Sequence, residues 1–422
     1  MPERASSGIL ERMPGNSTVL ISPAPGPSLA VIGAGVAGCS LVARLSQLGW
    51  SGPISLWETG RGPGGRASTR RSRQDPQLRI DHGAPLFNLD PADAAPPLLL
   101  EPLLAMGSVE PWEGVIAGLN AEGQLLPTPR EPLLEGRLYR GHGGMDRLCE
   151  GLLALAGERV TCRFGQLVRH LEVSAGGAWT LLDKERQPLG QADWLVLSSS
   201  LLAHPRSRLT LGWDSIPLAE AARPLADPDL EHALVAIAST RPEARSNLLL
   251  MAEGDTARLW LQQPFRLLIL DAAAQLRWGL ERVAIQPLED GRCAVVAHST
   301  PIFAEEHLEV YGSGSAIARQ LGQPAPSDQE QAVITALTAA LHQAMGSRIP
   351  YTALARSQRQ LMRWGAAFPR GPGLPSALSL CPASRIGFCG DYLAGPGFGR
   401  LEGAWRSGEQ LALRLLAATA VG

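Results

Sequence analysis

The chain has almost no lysine: Lys184 stands alone among 38 basic residues, and the other 37 are arginine. Any chemistry that needs a buried lysine therefore has one candidate. The arginine excess fits a compositional bias as readily as phosphate recognition, because the two cations serve similarly in exposed ion pairs. Long apolar runs are missing too. No stretch of about 18 uncharged apolar residues occurs, which excludes an obvious spanning helix, and no basic start followed by an apolar run marks a secretory signal. Cysteine is sparse: Cys39, Cys149, Cys162, Cys293, Cys381 and Cys389 form no CxxC pair and have no histidines at zinc-ligand spacing. This pattern excludes a zinc site and predicts a reduced, cytoplasmic protein without a metal. The net charge of −2 supplies no basic field for nucleic acid or anionic lipid. What is left as a partner is a small molecule.

A chain of 422 residues exceeds one compact core, so two domains, or one carrying a large insertion, are expected. Residues 1–28 are rich in Pro, Gly and Ser and read as a disordered leader. The fold then begins: Leu29-Ala30-Val31-Ile32 reads as a strand, Val36 to Leu48 as a buried helix ended by Gly49, and Ile54 to Trp57 as a second strand. Together they make a βαβ unit on a parallel sheet. Further on, a helix is expected from Gly144 to Ala156, antiparallel strands over Val160 to Val173 and Trp179 to Leu182, and a strand at Trp194 to Leu197 that rejoins the main sheet. Between Asp214 and Gly373 the pattern predicts strands at Ala233 to Ser239, Leu248 to Met251 and Ala294 to His298, and a helix at Gln329 to Met345. A strand at Ile386 to Cys389 and a helix at Leu401 to Ala417 close the chain.

The turn Gly33-Ala34-Gly35-Val36-Ala37-Gly38 follows a strand and opens a helix, and Glu58 ends the next strand. Each position has a physical reason. Gly33 permits the tight turn, Gly35 lets the backbone approach a pyrophosphate, Gly38 allows close helix–strand packing, and the helix N-terminus offers free N–H groups to anionic oxygens. Glu58 suits the hydroxyls of an adenosine ribose and disfavours a 2′-phosphate there. The motif alone does not separate NAD from FAD. Arg61-Gly62-Pro63-Gly64-Gly65-Arg66 adds a second glycine loop with a guanidinium for phosphate oxygens. At the other end of the chain, a strand ending in Gly390-Asp391 and a helix opening at Leu401 suit a ribityl chain and the electron-rich edge of a flavin. Two sites of dinucleotide type at opposite ends of one chain are hard to explain by NAD alone.

In this order, Gly33 to Gly38, Glu58, Gly64-Gly65-Arg66, Asp81-His82-Gly83-Ala84, Gly143-Gly144-Met145 and Gly390-Asp391, the chain resembles the FAD-dependent amine oxidase superfamily, most closely its renalase-like branch. The resemblance is strong over residues 29–90, 140–200 and 384–415 and thin between. It implies an α/β fold with a discontinuous Rossmann-like FAD-binding domain (29–100, 136–212 and 376–422) and an inserted α+β substrate domain (101–135 and 213–375). It also implies non-covalent FAD. Gly33, Gly35 and Gly38 would face the pyrophosphate, Arg66 the phosphates, Glu58 the ribose, and Val168 the adenine. Asp391 would meet the ribityl chain and Leu401 the flavin, and Val36, Ala37, Gly65 and Gly390 would also bind the cofactor.

The chemistry this implies is oxidation of a small amine or dihydropyridine by hydride transfer to flavin N5, with dioxygen as acceptor and an isomeric dihydronicotinamide as a candidate substrate. Orientation over the flavin supplies most of such catalysis. His82 and Trp364 are the candidate catalytic residues, each with a competing reading as a satisfied core residue. Many flavin amine oxidases hold a water with a lysine, but Lys184 falls in the turn Asp183-Lys184-Glu185-Arg186, which disfavours that mechanism. Cys39 reads as a small packing residue, and Glu305-Glu306-His307 as a solvated surface. Two alternatives stand beside this reading: a flavin desaturase of an apolar substrate, which predicts a membrane-docking surface, and a non-catalytic FAD-binding protein, whose flavin no substrate would reduce.

Overall fold

The structure is a computed structural model that describes residues 26–72, 74–90, 95–127, 129, 131–313, 315, 320 and 327–420. Most of the expected leader, residues 1–25, lies outside these. Its last residue is anchored: Ser28 donates from both its backbone N–H and its hydroxyl to Asp193 Oδ2, at 2.8 and 2.7 Å.

Leu29–Ile32 is a nearly continuous buried apolar run, as a central parallel strand requires. It lies between Ile54–Glu58 and Trp194–Leu197, with Val31 beside Leu56 on one side and Val196 on the other. The sheet has six strands in the order Val160–Phe164, Ile54–Glu58, Leu29–Ile32, Trp194–Leu197, Ile386–Phe388, Leu380–Cys381, and only the last runs antiparallel. The closing strand and helix thus return to the sheet that opens the fold. Helices Val36–Gln47, Asp146–Ala156 and Leu401–Ala420 bury their apolar sides against one face of this sheet. The other face shares a core with a three-stranded sheet, His170–Val173, Trp179–Leu182 and Pro188–Ala192, and with the helices of residues 217–239.

Two expectations are corrected here. Val160 to Val173 divides into two pieces: Val160–Phe164 is the parallel edge of the main sheet, and only His170–Val173 pairs antiparallel with Trp179–Leu182. Ala233 to Ser239 belongs to a helix, Pro228–Ser239. Asp227 caps it by accepting from the N–H groups of Asp229 and Leu230, Pro228 fits the first turn, and the buried residues Leu230, Ala233 and Ile237 fall at helical spacing.

A seven-stranded sheet forms the second layer, in the order Gln358–Arg370, Arg241–Ala252, Cys293–Ser299, Leu280–Pro287, Leu267–Leu270, Ile116–Leu119, Leu125–Pro127. Ser327–Met345 and shorter helices cover one of its faces with a large apolar core. Its other face carries smaller apolar clusters around Ile80 and Leu86 and, between them, a row of polar side chains. Asn247 Nδ2 and Trp364 Nε1 each donate to the carbonyl of His82, at 2.8 and 3.2 Å, and hold this face to the loop after Arg79–Asp81.

Candidate functional site

The glycine turn closes under geometric compulsion. Gly33 has φ +107°, and a Cβ there would lie 2.5 Å from Ser198 Oγ, which itself donates to the Gly33 carbonyl at 2.6 Å. Gly38 is not a cavity residue: a Cβ on it would meet the Gly33 carbonyl at 2.1 Å, so its smallness serves the packing of helix on strand. This corrects its expected place at the pyrophosphate and leaves its packing role. The second glycine loop rests against the first. Gly64 N–H donates to the Ala34 carbonyl at 2.8 Å, and a Cβ on Gly65 would stand 3.2 Å from the Gly35 Cα. The two loops form one continuous backbone surface.

Glu58 sits at the end of its strand with Oε2 accepting from Ala34 N–H at 2.9 Å and Oε1 from Gly60 N–H at 2.6 Å. Burial raises its pKa, and the backbone donors of Gly60 and Ala34 oppose that. Both oxygens keep further lone pairs for hydroxyl donors.

Arg66 and Asp391, expected at separate parts of a cofactor, face each other. Two parallel hydrogen bonds of 2.6 Å join the guanidinium to the carboxylate, and Arg66 also donates to the Ala367 carbonyl at 2.8 Å. Asp391 is buried, whereas the Arg66 side chain is 39% exposed. The pair ties together residues 325 positions apart in sequence, at the mouth of the closing helix.

Gly33, Gly35, Val36, Ala37, Glu58, Gly65, Arg66, Val168, Gly390, Asp391 and Leu401 all line one cavity of about 900 Å³, and so do His82 and Trp364. That volume is at the upper end for small-molecule sites. Of the sequence-predicted site residues, only Gly38 lies off this wall.

His82 is 8% exposed and stacks on Trp364 with ring centroids 5.3 Å apart and planes 10° from parallel. Its Nε2 lies 3.3 Å from Ser68 Oγ, and its Nδ1 is buried without a partner among the described residues. Burial, with a smaller effect of Arg70, pushes its pKa down to about 3, so the ring is neutral at physiological pH. It offers hydrogen bonding, and its basicity is too low for it to hold a proton there.

Sequence reasoning missed a row across the seven-stranded sheet whose middle is polar: Ile269, Arg282, His298, Asn247 and Met362 are successive cross-strand neighbours, and all line the cavity. The available signal was polar residues interrupting buried strands, in Ala244-Arg245-Ser246-Asn247-Leu248 and in Val296-Ala297-His298. Lys184 is half-exposed on its turn, 3.4 Å from Glu185, and does not line the cavity. Cys39 is fully buried, which raises its thiol pKa and makes it unreactive. Among the described residues there is no metal-binding cluster, and no helix is long and apolar enough to cross a membrane.

Residues 31–99 match the family model of the NAD(P)-binding Rossmann-like domain. Solved structures similar to the chain over most of its length include wild-type putrescine oxidase bound to putrescine, at 13% identity and TM-score 0.59, covering 93% of this chain and 99% of the other. Cyclohexylamine oxidase from Brevibacterium oxydans matches at 14% identity and TM-score 0.58, covering 94% and 100%. A putative protoporphyrinogen oxidase from Exiguobacterium matches at 12% and 0.57, covering 92% and 98%. The fold is therefore the one these oxidases share, with a Rossmann-like dinucleotide-binding domain at its N-terminal end.

Proposed function

We propose that the protein is an FAD-dependent oxidoreductase of the amine oxidase superfamily, renalase-like, which oxidises a small amine or dihydropyridine. The observation that carries this reading is the single cavity running from the two apposed glycine loops and Glu58, past Asp391 and Leu401, to the stacked pair His82 and Trp364. The residues fit the cofactor. Side chains are absent where the two glycine loops approach each other on the cavity wall, a half-buried carboxylate with free lone pairs stands at the end of the second strand, and a buried one follows the strand before the closing helix. Gly33, Gly35, Val36, Ala37, Gly65 and Arg66 would hold the phosphates, Glu58 the ribose, Val168 the adenine, and Gly390, Asp391 and Leu401 the ribityl chain and flavin.

Bound there non-covalently, a flavin supplies the hydride acceptor that no side chain offers. The chain's own residues bind and orient. Trp364 and the neutral His82 make a flat, partly apolar wall against which a substrate would be oriented. Dioxygen is the proposed final acceptor. All six cysteines are free, which supports a reducing cytoplasmic setting.

The test is the absorption spectrum of the purified protein, before and after anaerobic addition of isomeric dihydronicotinamides and, separately, of a small primary amine. A flavin spectrum that bleaches is the expected result. Flavin that stays oxidised with both would leave only a cofactor-holding role, and a protein that takes up no flavin on reconstitution would overturn the proposal.

A further inference from the structure

Past the His82–Trp364 stack the cavity runs on across the seven-stranded sheet, and its lining changes along the way. Asn247 and Trp364, which hold the His82 carbonyl, stand on neighbouring strands at one side of the sheet. Ile269 stands three strands beyond Asn247, about 14 Å away at the usual spacing of ~4.8 Å per strand. The residues between are polar but balanced in charge. Arg245 meets Glu281 at 2.6 Å and Glu243 at 3.3 Å, Arg282 donates to Glu281, and His298 is neutral, its pKa pushed down to about 3 by burial and then by Arg282. At the far end the lining is apolar. Leu267 and Ile269 face the cavity, while the alternate residues Leu268 and Leu270 belong to the core on the other side of the sheet. Leu86, on the loop that carries His82, joins them in one apolar cluster and lines the cavity too. Leu134 packs against this cluster from the turn Pro132–Leu134, which Asn88 pins by donating to the carbonyls of Pro132 and Glu135 at 3.1 and 2.9 Å. Pro132 and Glu135 are exposed, whereas Leu134 is half-buried on the cavity wall.

Among the described residues, the cavity offers this end no buried carboxylate that is still unpaired. Glu281 is neutralised by Arg245 and Arg282, Asp146 by two bonds of 2.6 and 2.7 Å from Arg71, and Asp391 by Arg66. Glu131, just before the turn, is half-exposed, so water screens it. A second ammonium buried among the leucines would go unmatched at a large cost, whereas methylenes buried there are stabilising. Resting on the flavin-oxidase reading above, we propose that Leu86, Leu134, Leu267 and Ile269 form an apolar subsite for the tail of the substrate. The substrate is then a monoamine, or a reduced nitrogen heterocycle, that carries an uncharged apolar substituent, and a diamine is rejected. The nitrogen end lies at the His82–Trp364 stack, and the substituent crosses the charge-balanced floor to reach Ile269.

The experiment compares three probes, propylamine, hexylamine and 1,6-diaminohexane, on the flavin-loaded protein, by calorimetry and by perturbation of the flavin spectrum. Each methylene buried is worth roughly fourfold in affinity, so hexylamine is expected to bind about tenfold or more tighter than propylamine. It should exceed the diamine, whose second ammonium falls among the leucines, by about as much. Ile269→Asp places a carboxylate in the apolar end and is expected to reverse the order of hexylamine and diamine with flavin content unchanged. Leu134→Asp makes the same change on the half-exposed turn, where folding is less at risk. The wild-type comparison needs no variant to fold. With flavin bound, hexylamine no tighter than propylamine would overturn the proposal alone. So would a diamine that binds as tightly as hexylamine, which would point to Glu131 as the partner of its second ammonium. A protein that never takes up flavin would overturn the oxidase reading and this proposal with it.

Discussion

Single side chains decide how the cavity is charged. Glu58, half-buried, and Asp391, buried, are carboxylates at ends of strands of the parallel sheet, but their surroundings differ. Glu58 is held by the backbone N–H groups of Ala34 and Gly60, so Glu58→Ala would remove the proposed cofactor contact and also leave those two N–H groups without their acceptor. FAD retention is expected to weaken roughly 10- to 150-fold, the worth of one charge-assisted hydrogen bond at about 1.5–3 kcal/mol, read by flavin occupancy after dialysis. Asp391→Ala removes a similar contact and also strands Arg66. Because that guanidinium is 39% exposed, water screens it, and the unfolding midpoint is expected to change far less than flavin occupancy does. Histidine sets the acid limit. His82 and His298 hold folded-state pKa values of about 3, well below the ordinary 6.5, through burial. Below about pH 6.5 the unfolded chain gains protons that the folded one refuses, so the stability they confer is present at neutral pH and is lost as pH falls towards 3. Asp81, raised to about 6 by burial, acts in the opposite sense, because its stabilisation is lost as pH rises from about 4 to 6. Two strongly shifted histidines outweigh one carboxylate. Denaturant midpoints should fall between pH 7 and pH 5, and the slope should flatten in a His82→Gln, His298→Gln double variant.

At the scale of elements, the helix that opens at the glycine turn is placed by the helix that ends the chain. Val36–Gln47 and Leu401–Ala420 cross closely at Gly408, where a Cβ would stand 2.2 Å from Ser40 Oγ and 2.4 Å from the Ala37 carbonyl. Ser40 also donates to the Trp405 carbonyl at 3.1 Å. Gly408→Leu should destabilise the protein by about 1–3 kcal/mol, the usual cost of overpacking. It should also lower flavin occupancy, because the displaced helix opens at the glycine turn proposed to hold the phosphates. Leu413→Ala, at an exposed position of the same helix, should leave the denaturant midpoint nearly unchanged. This crossing also shows why some elements were legible in the sequence and others were not. The glycine turn, Glu58, the second glycine loop and the Gly390-Asp391 strand end are local patterns, each readable from residue type and spacing. The strand expected at Ala233 to Ser239 failed because a short apolar run suits helix and strand equally, and the capping signal of Asp227-Pro228 decides it. Arg66 facing Asp391, and Arg282 facing His298, are products of tertiary pairing between distant segments, and no local pattern announces them.

At the scale of the whole molecule, the cavity is a meeting place of segments far apart in sequence: the turn at 33–38, the loop at 60–66, Val168, the strand row at 245–298, Trp364, and the strand end and helix at 390–401. A ligand that touches most of these binds the folded state and has nothing to bind in the unfolded one. Its contribution to stability follows from mass action alone, and is about 4 kcal/mol when free ligand stands at a thousand times its dissociation constant. Stripping the flavin should therefore lower the melting temperature by several degrees, and adding FAD back should restore it in a concentration-dependent way, measured by calorimetry at fixed pH. Adenosine diphosphate, which offers the ribose and pyrophosphate but no isoalloxazine, should recover only part of the shift, because in the proposed assignment it would reach Glu58 and the glycine loops but leave Asp391 and Leu401 untouched. A melting temperature indifferent to FAD would mean that these segments are held together by the protein core alone, and that the cavity is shaped for another ligand.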